Sequence, residues 1–234
     1  MSGVRDLVPK LEKTVVVVTY GRSGSTLVQN LLNALPGGCI RGENDNLLAP
    51  LARAWDVTRS SPHALKLRGQ ALSPSDPWYG FEEVTPEHFG DALARMFTET
   101  VLRPDADTRL MGFKEIRWHY DPLLFPVMLD FIRAHFPNPR ILFNQRDHAA
   151  VARSGWWKTM KPENVMRQLR QAEALYAAYR ARNPRACLTM TYDTYVTGPE
   201  AWRPLFEFLD EPFDAELVRS VLAHRLTHLQ PKER

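Results

Sequence analysis

The chain has 234 residues, 44% hydrophobic and 24% charged, an ordinary globular composition that excludes a disordered tail or a coiled coil. A count of 30 Lys and Arg against 27 Asp and Glu leaves a net charge of +3, too small for nucleic-acid binding through the field of the whole surface, so any anion site must be local. No apolar run approaches the roughly 20 residues a membrane helix needs and the start, Met-Ser-Gly-Val-Arg-Asp-Leu, lacks the apolar core of a signal peptide, so a cytoplasmic protein without integral membrane contact is expected.

Thr14-Val-Val-Val-Val-Thr-Tyr20 is a β-branched run without polar alternation, the pattern of a strand buried on both faces of a parallel sheet. Helical spacing follows from Leu27 to Leu35. The most Pro- and Ser-rich stretch, Ser60 to Pro86, reads as a long irregular insertion, either a functional lid or a solvated excursion. Further strands are expected at Arg109–Ile116, Arg140–Asn144 and Cys187–Tyr192, with helices near 85–102, 122–135, 147–157, 163–182, 200–209 and 214–224. The alternation predicts one α/β domain over 1–234 with an irregular insertion around 56–86. Its architecture would be a three-layer sandwich around a central, mainly parallel sheet, with ligands outside the carboxyl ends of the strands. Cys39 and Cys187 are too few for a disulfide framework or a zinc site and read as two buried thiols; no metal is expected.

Tyr20-Gly-Arg-Ser-Gly-Ser-Thr26 joins the first strand directly to a helix. Gly21 and Gly24 let the backbone approach an anion, Ser25 or Thr26 can cap the helix, and amides at a helix N-terminus hold phosphate without a strong net charge. Plain turn-and-cap chemistry is the alternative for these residues taken alone. The loop is not a Walker A motif: the lysine of G-x-x-x-x-G-K-[ST] would fall at Ser25 and the leading glycine at Thr19. Arg22 supplies a cation instead, and no carboxylate is clearly placed to hold magnesium.

The loop resembles the 5′-phosphosulfate loop of sulfotransferases that use 3′-phosphoadenosine 5′-phosphosulfate (PAPS), where P-[KR]-S-G-[ST]-[ST] follows the first strand; Gly21 stands where that family has proline. Arg146, at the end of the third expected strand, and Ser154, eight positions later, repeat the spacing with which the family places an arginine and a serine on the donor's 3′-phosphate. The pair can flank one phosphate only if the chain bends between them. Arg41-Gly-Glu-Asn-Asp45 resembles the R-C-G-E-E segment of tyrosylprotein sulfotransferases, the glutamate-base branch, so Glu43 inherits the role of base. Thr191-Tyr-Asp-Thr-Tyr195 is similar to the family's Y-E-D segment, whose tyrosine contacts the adenine, and Tyr192 is the match. The glycine-rich R-K-G segment of the cytosolic members is not found, and His224-Arg-Leu-Thr-His228 is a candidate substitute. The resemblance runs from Thr14 to about Pro199 and implies a P-loop-NTPase-like fold.

It also implies in-line transfer of a sulfuryl group from PAPS to a hydroxyl acceptor, without a metal. By position, Gly21, Arg22, Ser23, Gly24, Ser25 and Thr26 would bind the 5′-phosphate, Arg146 and Ser154 the 3′-phosphate, and Tyr192 the adenine. Glu43 would act as base, with Arg22 and Lys114 supplying positive charge. Lys114 and Glu115 are neighbours on a strand and point to opposite faces, so only one faces the site. A buried lysine is costly unless it meets an anion, which makes Lys114 either a cation near the sulfuryl group or half of an ion pair with a nearby carboxylate. His119 is the rival base, as in many cytosolic sulfotransferases, and Trp156 and Trp157 either line the acceptor side or pack in the core. Small-molecule, carbohydrate, lipid and peptide hydroxyls all remain open as acceptors. A P-loop-type kinase or phosphotransferase, or a non-catalytic nucleotide-binding module, is the alternative function.

Overall fold

β1 (Lys13–Val18) lies at the centre of a sheet that also contains β2 (Gly38–Arg41), β3 (Leu110–Glu115), β4 (Pro139–Gln145) and β5 (Cys187–Thr191). The strand order is β2-β3-β1-β4-β5 in the computed structural model, which describes residues 3–223. Every pairing is parallel, and Val15 stands opposite Gly112 on one side and Arg140 on the other. All of β1 is buried, and side-chain alternation sends Val16 and Val18 into one helical layer and Val15 and Val17 into the other. Burying each valine contributes about 1.5–3 kcal/mol, which is why an unbroken β-branched run occupies the central strand.

The first layer comprises α3 (Leu48–Ser60), α5 (Pro86–Phe97), α6 (Leu124–His135) and α8 (Pro162–Arg182), which contribute Trp55, Phe97, Phe125 and Tyr176. The short α1 (Val4–Leu7) adds Val4 to the same layer. The second layer comprises α2 (Ser25–Ala34), α10 (Arg203–Phe208) and α11 (Ala215–Ala223), which contribute Leu31, Phe206 and Val218. α2 buries Ser25, Val28, Leu31 and Leu32 at helical spacing, and it stops at Leu35, whose extended conformation suits the residue before Pro36. The three-layer α/β arrangement is the one expected from the sequence.

Four elements differ from expectation. β2 was not legible as a strand. Residues 48–60 form α3, and residues 62–67 form α4 (Pro62–Leu67), capped where Ser61 Oγ accepts the Ala64 amide at 3.1 Å. The insertion expected to be irregular around 56–86 is therefore helical as far as Leu67, apart from the turn at Ser61. The helix expected over 147–157 is broken: α7 (His148–Ala152) ends, Ser154 is extended, Gly155 adopts φ 57° and a 3₁₀ turn runs Gly155–Thr159. The strand expected to reach Tyr192 stops at Thr191, and Tyr192 opens α9 (Tyr192–Tyr195). Cys187 is buried but Cys39 only half-buried, and both are free thiols. Among the described residues no helix is long and apolar enough to cross a membrane. His224–His228, the candidate cover for the 3′-phosphate, lies outside the described residues.

Candidate functional site

The loop from Tyr20 to Gly24 leaves the carboxyl end of β1, where Arg22 (φ 67°) and Gly24 (φ 80°) are both left-handed. A Cβ on Gly24 would enter the Tyr192 ring, so glycine is required for space as well as for φ. Three successive carbonyls are engaged by side chains from distant segments. Gly21 O accepts from Trp157 Nε1 at 2.8 Å, Arg22 O from Arg146 Nη1 at 3.0 Å and Ser23 O from Asn144 Nδ2 at 3.0 Å. A trans peptide is planar, with its N–H opposite its C=O, so tying back these oxygens turns the amides of Arg22, Ser23 and Gly24 the other way. Among the described residues the amides of Arg22, Ser23 and Gly24 have no acceptor.

The side chains of the loop divide by role. Ser23 is buried with its hydroxyl 2.7 Å from Thr19 Oγ1, which donates to Asn144 O at 2.6 Å, so Ser23 offers an outside ligand only its amide. The helix cap is Gly24, without a side-chain bond, which corrects the expectation that Ser25 or Thr26 caps α2. Gly21 lies against Trp156, whose ring occupies the place a Cβ would take, and this accounts for the missing proline.

Arg22 Nε donates to Ser154 Oγ at 3.0 Å, a contact made possible by the chain bend at residues 153–155. Arg146, besides holding the Arg22 carbonyl, stacks its guanidinium 4.4 Å over the Tyr192 ring, and its Nε is buried without a partner among the described residues. Arg22, Gly24, Arg146, Ser154 and Tyr192, drawn from four segments, thus meet at one cradle.

A second cluster lies beyond β2. Lys114 Nζ donates to Glu43 Oε1 at 2.6 Å; the lysine side chain is 7% exposed and the glutamate 34%. Arg117 Nη1 stands 3.5 Å from Glu43 Oε2 and 3.3 Å from Glu115 Oε1. Glu115, 0% exposed, is fully committed: Oε1 also accepts the Ile116 amide at 2.8 Å, and Oε2 accepts the Asn46 amide at 3.0 Å. It anchors the loop in which Asp45 (φ 54°) and Asn46 (φ 65°) are both left-handed, and that loop carries Glu43. Of the adjacent pair on β3, Lys114 meets the candidate base and Glu115 holds the base's loop, with Arg117 Nη1 between Glu43 and Glu115, so at the strand end both side chains reach this cluster where only one was expected to. Lys114 thus forms the ion pair expected as the alternative to a cation near the sulfuryl group, and its partner is the candidate base Glu43.

His119 is 2% exposed, packs 4.2 Å from the Tyr120 ring, and has no partner for either ring nitrogen among the described residues. Burial pushes its pKa down to about 4. Trp157 is core, and its Nε1 holds the cradle; Trp156 is 48% exposed at the rim. Arg41 is occupied by the carbonyls of Leu102 and Arg103 at 2.6 and 2.7 Å. Asn144 and Tyr195 were missed from sequence, and the one available signal was a polar Asn144 ending the apolar run Ile141-Leu-Phe; Glu115 was weighed only as the neighbour of Lys114. Among the described residues no group of three or more His, Cys, Asp and Glu side chains is placed to hold a metal ion.

A family model described as the sulfotransferase family matches residues 14–215. No curated protein matches the sequence significantly. Among solved structures, the sulfotransferase domain from the Synechococcus PCC 7002 olefin synthase superposes with a TM-score of 0.56 at 19% identity, covering 95% of this chain and 82% of that one. The sulfotransferase domain from the curacin biosynthetic pathway gives a TM-score of 0.51 at 16% identity, covering 89% and 77%. At these identities the likeness is one of fold.

Proposed function

The chain belongs to the sulfotransferase family, and from that premise we propose that it transfers a sulfuryl group from PAPS to a hydroxyl acceptor, with Glu43 as the base. The observation that carries the reading is the convergence of Arg22, Ser154, Arg146 and Tyr192 on a run of backbone amides with no acceptor among the described residues. These residues fit the donor. The amides and Arg22 would hold its 5′-phosphate, the leftover Arg146 Nε and Ser154 its 3′-phosphate, and Tyr192 would border the adenine. When bound, PAPS supplies an activated sulfuryl group whose bond to the phosphate oxygen breaks as the bond to the acceptor oxygen forms.

The protein's own part is orientation and proton transfer. Glu43, partly exposed, takes the acceptor's hydroxyl proton on a carboxylate oxygen, a role typically contributing about 10²–10⁴-fold. As that carboxyl becomes neutral, Lys114 Nζ loses its counter-charge and is left cationic, suited to stabilise negative charge growing nearby. His119, enclosed and with its basicity depressed by burial, is a poor rival for the proton. Small-molecule, carbohydrate and lipid hydroxyls all satisfy this chemistry.

A P-loop kinase would bind ATP with magnesium, and here Ser25 stands where its loop lysine belongs. Thermal unfolding of the full chain with adenosine 3′,5′-bisphosphate, with ATP and magnesium, and without ligand separates the two readings. The bisphosphate in metal-free buffer is expected to raise the midpoint. A rise with ATP and magnesium alone would overturn the sulfotransferase reading in favour of the kinase.

A further inference from the structure

Behind the cradle, Tyr20, Glu173 and His148 form a polar chain that the proposed chemistry leaves unused. Tyr20 is fully buried; its hydroxyl donates to Glu173 Oε1 at 2.7 Å and accepts the Arg146 amide at 2.9 Å. Burial, reinforced by Glu173, holds the Tyr20 pKa well above the usual phenol range, so the hydroxyl keeps the proton it donates. His148 Nε2 lies 3.0 Å from the same Glu173 oxygen. His148 is the first residue of α7, and the segment leaving α7 carries Ser154. Between Arg146 and His148, the Asp147 amide is held by Asp193 Oδ2 at 2.6 Å.

One carboxylate on a helix of 21 residues therefore joins the end of β1, the end of β4 and the start of α7. Packing alone would be served by phenylalanine at position 20. The phenol oxygen is instead used twice, once on Glu173 and once on the backbone of Arg146, and a satisfied buried network of this kind fixes position more than it adds stability. We infer that Glu173, acting through Tyr20 and His148, is a positioning residue for Arg146 and Ser154, and so sets how strongly the site recognises the 3′-phosphate of an adenine nucleotide. The inference rests on the proposed PAPS reading.

The test is calorimetric. Affinities for adenosine 3′,5′-bisphosphate and adenosine 5′-phosphate are measured for the parent, Tyr20→Phe, Glu173→Ala and Glu173→Gln, with unfolding curves confirming that each variant is folded. The readout is the ratio of the two affinities, which cancels damage to the 5′-phosphate cradle. The ratio is expected to fall about 10-fold in Tyr20→Phe and Glu173→Ala, and to be largely restored in Glu173→Gln, which keeps an oxygen acceptor for both partners. A parent with a ratio near one would overturn the donor reading itself. A parent that discriminates, together with folded variants that discriminate equally well, would overturn the positioning role and leave the donor reading standing; equal losses in the Gln and Ala variants would overturn its hydrogen-bond basis.

Discussion

Lys114 Nζ sits 2.6 Å from Glu43 Oε1, so a nearly buried ammonium holds one oxygen of a partly exposed carboxylate whose other oxygen lies 3.5 Å from Arg117 Nη1. On the proposed function, the pair would couple removal of the acceptor proton to exposure of a positive charge. It also constrains which substitutions are informative, because deleting the carboxylate would leave Lys114 buried without a counter-charge.

Glu43→Gln keeps an oxygen for Lys114 and removes the proton acceptor. Donor affinity is expected to stay near the parent's while turnover falls about 10²-fold or more, since the lost interaction belongs to the transition state. His119→Gln is expected to cost much less. Steady-state rates alongside calorimetric donor affinities decide the matter, and a dead histidine variant beside an active Glu43→Gln would reassign the base.

In the cradle, Arg22→Ala is expected to lower donor affinity and turnover together, because the guanidinium and its bond to Ser154 act on charge present before and during the reaction. Gly24→Val should be worse, for its side chain would displace Tyr192 and, through it, the face on which Arg146 stacks. Near-parental nucleotide affinity in Gly24→Val would show that the loop does not hold the donor.

Asn144 is buried with both ends of its amide used, Nδ2 on Ser23 O and Oδ1 accepting from Tyr195 OH at 3.0 Å. Asn144→Leu would strand both partners, at about 1–3 kcal/mol for each unsatisfied group, and release the Ser23 carbonyl. Denaturant unfolding should record lower stability, and nucleotide affinity should fall in the same variant. Unchanged values in both would mean that the anchor is dispensable.

What was legible in the sequence follows from range along the chain. β1 could be read because Val15–Val18 are buried on both faces and contiguous, and Arg22, Gly24, Arg146, Ser154 and Tyr192 because each sits in a short motif. β2 could not: it has four residues, pairs only with β3 at the sheet edge, and buries only Ile40. α3 was hidden by Pro50, which a first helical turn tolerates but which reads as a breaker in sequence. The carbonyl anchors were out of reach for another reason. Asn144 and Ser23 lie 121 residues apart, and Trp157 and Gly21 lie 136 apart, so neither pairing leaves a local pattern.

Burial lowers the His119 pKa from its usual 6.5 to about 4, which gives a signed pH dependence. Between those values the unfolded chain binds a proton that the folded chain does not, so stability from the neutral imidazole is complete above about pH 6.5 and is lost as pH falls toward about 4. On going from about pH 7 to about pH 4.5, the parent is expected to lose about 1–3 kcal/mol more than His119→Gln in paired denaturation curves. Parallel losses would place His119 in a wetter setting.

The most direct test of the whole account is sulfuryl transfer itself. PAPS labelled in its sulfate is incubated with the full chain and a metabolite extract of the source organism, and products are resolved by mass. The expected result is a labelled sulfate ester formed one for one with adenosine 3′,5′-bisphosphate, with both falling about 10²-fold in Glu43→Gln. Release of neither product above an enzyme-free blank, or equal yields from the parent and Glu43→Gln, would contradict it.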